Sequence, residues 1–374
     1  MKNVVIAGYV RTPFTMARKG ALARVRPDDL AAAAVRGLLA KTGVDGTEIE
    51  DLVLGCAFPE GEQGFNMARL VVLMADLPIA VAGVTLNRFC GSSMQAIHQA
   101  AGAIQMNAGH AFICAGVESM SRVPMPGFNP SPNPVLYQER PEAYISMGIT
   151  AENLAKKYSI SRQEQEALAV VSHQKAAAAQ AAGRFDDEII AVGEVTQDGC
   201  IRPETTADTL AGLKLAFDEQ GSVTAGTSSP LTDGAAAALV CSEEFAKANG
   251  LPVLARIKSV AVAGCAPEIM GIGPVNATLK ALARAGLKAA DLDLIELNEA
   301  FAAQAIPCVR DLGLDMARIN LDGGAIALGH PLGATGARIT GKVAALLKRE
   351  GKQFGLATQC IGGGQGIATI LEAV

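Results

Sequence analysis

Short apolar runs of strand length alternate with longer segments of helical period along the whole of this 374-residue sequence, and no other feature constrains its fold as much. Strands buried on both faces need helices to cover them, so the pattern predicts an α/β chain. Val4 to Ala7 reads as the first strand. Pro27 sits where a first helical turn would place it, and Leu30 to Ala40 continues to a stop at Gly43. Asp51 to Cys56, Val81 to Asn87 and Ala111 to Val117 follow as strands. Met94, Ile97, Ala101 and Ile104 fall on one helical face, which Gly109 ends.

The last third repeats the theme. Ile295 to Leu297 reads as a strand, with a helix after Asn298. Ile319 to Leu321 is a further strand, Gly323 to Gly336 a glycine-rich loop, Ala337 to Lys348 a helix and Phe354 to Thr358 a strand. Strand, glycine-containing corner and helix thus recur around Cys90 and around His330, a faint architectural repeat. Two similar halves would bring these corners together at strand ends, where α/β sheets carry ligands. Between them, 121–227 changes character: prolines crowd its start, and Ser161 to Glu164 forms a capping box. We expect 1–120 and 228–250 to form a first half, 121–227 an inserted domain, and 251–374 a second half.

Half of the residues are hydrophobic but only 4% are aromatic, Trp is absent and Gly numbers 40, so the interior should be small aliphatic side chains on closely packed helices. A net charge of -5 without long runs of either sign gives no footprint for nucleic acid. Eight cysteines are scattered with no CxxC pair and no histidine at ligand spacing, so no metal site is expected. The N-terminus lacks a signal-peptide pattern and no apolar stretch reaches membrane-spanning length, which predicts a cytoplasmic protein with free thiols.

Cys90, in Asn87-Arg-Phe-Cys-Gly-Ser-Ser-Met94, lies between a strand and a helix N-terminus, where N–H groups and the macrodipole favour a thiolate. Gly91 would allow the tight bend. The plain alternative is an inert buried cysteine. His330, stiffened by Pro331 among glycines that would let a substrate approach, suits a general base; the alternatives are a phosphate cradle or turn chemistry. His98, His173 and His110 read as structural or solvated. Cys360 begins Cys-Ile-Gly-Gly-Gly-Gln-Gly366 after the last strand, where free backbone N–H groups could form an oxyanion hole or the glycines could simply turn the chain. Asn298 could cap the following helix, or hold a water or an oxyanion.

Taken together, Asn87 to Ala96, Asn298 to Phe301, Gly323 to Arg338 and Cys360 to Gly366 resemble the signature blocks of thiolases, in order and over essentially the whole chain. The resemblance implies two βαβαβαββ halves in a five-layered α/β/α/β/α body with an inserted loop domain. It implies that Cys90 is acylated, that His330 activates it, and that Cys360 is the acid/base at the substrate C2. Asn298, through a water, and His330 would hold the enolate; the N–H groups of Cys90 and Gly362 would hold the tetrahedral oxyanion. Arg202 and Ser229 resemble coenzyme A-holding positions, and Met147 sits in the substrate-binding Ser146-Met-Gly148 segment.

The acetoacetyl-CoA-forming branch typically has His where Ser146 stands, which favours the β-oxidation branch. The implied reaction is thiolytic cleavage of 3-ketoacyl-CoA by coenzyme A, with ping-pong kinetics and His330 again the base when coenzyme A attacks; the alternative is an acetoacetyl-CoA thiolase running condensation. Coenzyme A is then a substrate, with no tightly bound cofactor. A homodimer or homotetramer, and association with a hydratase/dehydrogenase subunit, are further implications.

Overall fold

The computed structural model describes residues 2–374. The first half runs β1 (Val4–Arg11), β2 (Thr15–Met16), α1 (Pro27–Thr42), β3 (Asp51–Gly55), α2 (Met67–Met74), β4 (Ala82–Leu86), α3 (Ser92–Gln105) and β5 (Ala111–Ser119). The chain then leaves the sheet through α4 (Pro134–Glu139), α5 (Met147–Lys157), α6 (Arg162–Ala181) and α7 (Ala207–Ala211). It returns as β6 (Thr232–Ser242), antiparallel to β5 from Ala111 opposite Cys241 to Ser119 opposite Asp233. After α8 (Glu243–Ala248) come β7 (Ala255–Gly264), α9 (Gly273–Ala285), β8 (Leu294–Leu297), α10 (Ala302–Leu312), α11 (Ala325–Leu328), α12 (Leu332–Glu350), β9 (Phe354–Ile361) and β10 (Gln365–Glu372).

The strands follow the order β4-β3-β5-β6-β1-β7-β10-β9-β8. The seam between halves is narrow, since β1 meets β7 only at Val5 opposite Arg256 and Ile6 opposite Ala255. Helices α1 and α2 bury Leu30, Val35, Leu38 and Val71 on one face of the first half-sheet. On its other face α3 and α12 form a central layer, where Met94, Ile97, Ile339 and Val343 pack between both half-sheets. α9 and α10 cover the far face of the second through Ala281, Leu282, Cys308 and Leu312. The result is the five-layered α/β/α/β/α body. Among the described residues, no helix is long and apolar enough to cross a membrane.

Most local expectations hold: Gly43 ends α1 with φ +68°, and Ser161 caps α6 by accepting from Glu164 N while Glu164 accepts from Ser161 N. Three do not. The expected strand Ile319 to Leu321 reduces to one bridge, Ile319 to Ile295. Asn320, at φ +47°, turns the chain, and its side-chain amide accepts from Leu297 N and donates to Leu297 O in place of a ladder. α3 stops at Gln105, short of Gly109, with Asn107 taking the left-handed turn at φ +60°.

The expected loop Gly323 to Gly336 is instead largely helical, holding α11 and the start of α12, which begins at Leu332 rather than Ala337. Its glycines answer to packing. A Cβ on Gly333 would lie 2.5 Å from Val117 O, and one on Gly336 would lie 2.2 Å from Met94 N. Both are distances to backbone that no side-chain movement relieves.

Gly333→Ala should therefore cost about 3 kcal/mol or more. Gly102→Ala, in α3 with open space around it, should stabilise by about 0.5–1 kcal/mol. Denaturant unfolding of the two variants measures this; equal effects would contradict the packing account.

Candidate active site

The corner between β4 and α3 is built by side chains that satisfy its backbone. Asn87 Oδ1 accepts from Phe89 N at 2.7 Å, and Asn87 Nδ2 donates to Ala57 O at 3.0 Å. Ser92 Oγ accepts from Arg88 N at 2.9 Å and donates to Phe89 O at 2.6 Å. So held, Phe89 adopts φ +44°, a conformation costly for a bulky residue, and presents Cys90 before the α3 N-terminus. Gly91 is not the bend: its φ is -82°, and a Cβ there would lie 2.5 Å from Ile361 Cδ1, so a side chain would have to displace that of Ile361.

The second half closes on this corner. Gln359 Nε2 donates to the Cys90 carbonyl, and Arg88 Nη1 donates to Gln365 Oε1 at 2.9 Å. The backbone N–H groups of Gly362 and of Cys90 itself favour the Cys90 thiolate. Burial nevertheless dominates and pushes the Cys90 thiol up to about 11. Cys360 lies within β9 rather than after it, buried beside Ala300 and Phe301, so the glycines behind it make the β9–β10 hairpin. Burial, and then the neighbouring Cys90, raise its thiol well above the ordinary value.

His330 directly precedes the N-cap of α12. Its backbone N–H donates to Thr232 Oγ1 at 3.0 Å, and its Nδ1 is 2.6 Å from Thr335 Oγ1. The single hydroxyl proton of Thr335 goes to Pro331 O at 3.0 Å, so Nδ1 is assigned the ring proton and Nε2 the free lone pair. Asn298 Nδ2 is 3.3 Å from that Nε2 and donates to it. Burial first, then the charge of Arg338, lower the His330 pKa to about 3, which keeps the imidazole neutral. Asn298 does not cap α10, whose N-cap is Phe301. Its N–H continues the β8 ladder to Thr358 O at 3.0 Å, and its Oδ1 is buried without a protein partner.

The two groupings meet through shared neighbours. Cys90 packs with Met120 and Leu332, and Thr232, which accepts from His330, donates its own N–H to Met120 Sδ at 3.4 Å. Met147, at the start of α5, would stand 3.4 Å from a Cβ on Gly362. Ser229 is anchored to Ala300 O by both N–H and hydroxyl at 3.0 Å. Arg202 is not brought to these groups; it stacks its bonds on His173 of α6, at 3.2 Å from its N–H and 3.4 Å from Nη2. Among the described residues no cluster of three His, Cys, Asp or Glu side chains could hold a metal.

Sequence reasoning missed two buried carboxylates that frame the site. Glu118 accepts from Ala57 N, Phe58 N, Gln63 Nε2 and Gly333 N at 2.7–3.2 Å. Glu299 accepts from Ser172 Oγ, Asn320 Nδ2 and Ile326 N at 2.6–3.3 Å, anchoring α6 and α11 around the histidine segment. The available signal was a glutamate embedded in, or directly after, an apolar run.

Family models described as thiolase, N-terminal domain, and thiolase, C-terminal domain, match residues 4–244 and 251–373. The chain is 50% identical to the 3-ketoacyl-CoA thiolase of Bacillus subtilis and 52% identical to that of Shewanella denitrificans, with all of each chain covered. Among solved structures, a Bacillus anthracis acetyl-CoA acetyltransferase is similar at TM-score 0.92 and 41% identity, covering 100% of this chain and 99% of that one. Human mitochondrial 3-ketoacyl-CoA thiolase in complex with CoA is similar at TM-score 0.92 and 38% identity, covering 100% and 98%.

A site whose thiol and imidazole are both neutral has a signature. Alkylation of Cys90 by iodoacetamide should rise with pH through about 11, where the thiolate is half formed, with no step near the ordinary imidazole value. A plateau between about pH 6 and 8 would instead mean a thiolate–imidazolium pair.

Proposed function

The chain belongs to the thiolase family, and from that premise we propose that it cleaves 3-ketoacyl-CoA by thiolysis through an acyl group on Cys90. The observation that carries this reading is the convergence of a corner thiol, a second thiol, a neutral imidazole and a buried amide from both halves.

Cys90 Sγ attacks the keto carbon while its proton passes to His330 Nε2. The oxyanion that forms is held by the N–H groups of Cys90 and Gly362. The C2–C3 bond then breaks, its electron pair moving onto the thioester as an enolate. Asn298, through a water, and His330 stabilise that charge; the unpartnered Asn298 Oδ1 gives such a water an acceptor. Cys360 delivers its proton to C2, releasing acetyl-CoA, and recovers a proton from His330. Free coenzyme A then gives its proton to His330 and attacks the acyl-Cys90 thioester. Cys90 leaves, retakes the proton, and the shortened acyl-CoA departs. Burial serves this cycle because the reacting thiols and imidazole are uncharged at rest, while the negative charge that develops meets fixed donors in a low-dielectric site.

The segment 121–227 is assigned to coenzyme A and acyl binding, with Met147 bordering the thioester beside Gly362, and Arg202 and Ser229 as coenzyme A contacts. The Bacillus subtilis and Shewanella denitrificans 3-ketoacyl-CoA thiolases, at 50% and 52% identity, together with Ser146 support the degradative branch over acetoacetyl-CoA condensation. The edge strand β4, with Phe65 93% and Ile79 79% exposed nearby, supports a self-associating enzyme, a homodimer or homotetramer. A hydratase/dehydrogenase subunit, which makes 3-ketoacyl-CoA, fits as a further partner.

Cys90→Ala should abolish thiolysis. Cys360→Ala should retain acylation of Cys90 by simple acyl-CoA while carbon–carbon cleavage falls by about 100-fold or more. Full thiolysis in Cys90→Ala would refute the reading. Across a chain-length series, kcat/KM should be higher for longer 3-ketoacyl-CoA thioesters than for acetoacetyl-CoA; the reverse order would transfer the enzyme to the condensing branch.

A further inference from the structure

Glu296 and Arg338 form an ion pair in the central layer, Oε2 to Nη1 2.6 Å, with side chains only 1% and 2% exposed. Beyond the charge of Arg338, which helps keep His330 neutral, the chemistry above makes no use of it. As a source of stability it is poorly built, because desolvating two charges costs several kcal/mol. Glu296 Oε1 and Arg338 Nε and Nη2 also lack protein partners.

Its placement suggests a different purpose. Glu296 lies in β8 two residues before Asn298, and the period of an extended chain puts both side chains on one face. Arg338 lies in α12 three residues after Thr335, the residue that orients His330, and that spacing puts both on one helical face. Asn298–His330–Thr335 and Glu296–Arg338 are therefore two parallel cross-links between the same two surfaces. One turn further along α12, Lys342 pairs with Glu188 at 2.9 Å and Asp322 at 2.8 Å, which fixes the helix to the segment following α6 and to the turn before α11. Among the described residues, only Glu296–Arg338 ties it by an ion pair to β8.

We propose that the Glu296–Arg338 pair is a positioning clamp that sets the register of β8 against α12 and so holds the Asn298 amide on the His330 imidazole. What that contact does, stabilising the enolate, rests on the functional reading above. An arginine suits the task because its planar fork fixes direction as well as distance.

The test replaces the pair by apolar residues of similar size, Glu296→Leu with Arg338→Met. Such replacement of a buried ion pair is neutral or stabilising for folding in known cases, so thermal stability should hold or rise. Carbon–carbon cleavage should nonetheless fall by about 10- to 100-fold in kcat with KM little changed, the scale of a small misplacement. Acylation of Cys90 by acyl-CoA, read by intact mass, should change far less than cleavage. If the double variant does not fold, Arg338→Lys supplies the same comparison, keeping the charge without the fork. Wild-type kcat, or a loss shared equally by acylation and cleavage and tracking the fall in Tm, would overturn the clamp. Failure of the parent enzyme to acylate Cys90 would instead refute the functional reading.

Discussion

The carboxylate of Glu118 is the interaction on which the rest of the site depends. It sits in β5 among the strands of the first half, wholly buried, and accepts N–H groups from the segment after β3, from Gln63 and from Gly333 in the first turn of α12. An anion at a helix N-terminus is electrostatically favoured, and here the helix belongs to the other half of the molecule. Burial raises the Glu118 pKa while the donors oppose that rise. The same carboxylate thus sets how α12, and with it His330, docks against the layer that carries Cys90. Gly333 is the geometric counterpart: without a Cβ, the helix comes near enough for its N–H to reach.

Once the halves are docked in this way, the chemistry follows from burial. The reacting thiols and imidazole are neutral at rest, as the raised thiols and lowered imidazole indicate. Donors around Cys90 Sγ and His330 Nε2 are supplied by backbone and amide groups that cannot titrate. The site is poised to stabilise charge that appears during reaction, which is where stabilisation accelerates a step.

Much of this was legible in the sequence. The alternation of apolar runs gave most of the elements, and Cys90 lies between a strand and a helix as its sequence context places it. What was hidden shares a physical cause. Glu118 and Glu299 find partners far along the chain, such as Gly333 for the one and Ser172 for the other, so local pattern carries no trace of their hydrogen bonds. Glycines that enable close packing in α12 look like glycines of a loop, which displaced its start. Asn320 replaces a strand ladder by its side chain, something no propensity anticipates.

The central claim is that docking of the halves makes one buried cysteine of the first half the covalent carrier. The most direct measurement is rapid quenching of the enzyme with a 3-ketoacyl-CoA in the absence of free coenzyme A, followed by peptide mapping. The acyl mass should appear on the peptide carrying Cys90, in up to one equivalent per chain, and not on the peptide carrying Cys360. An acyl group on Cys360, or turnover without any acylated peptide, would contradict the account.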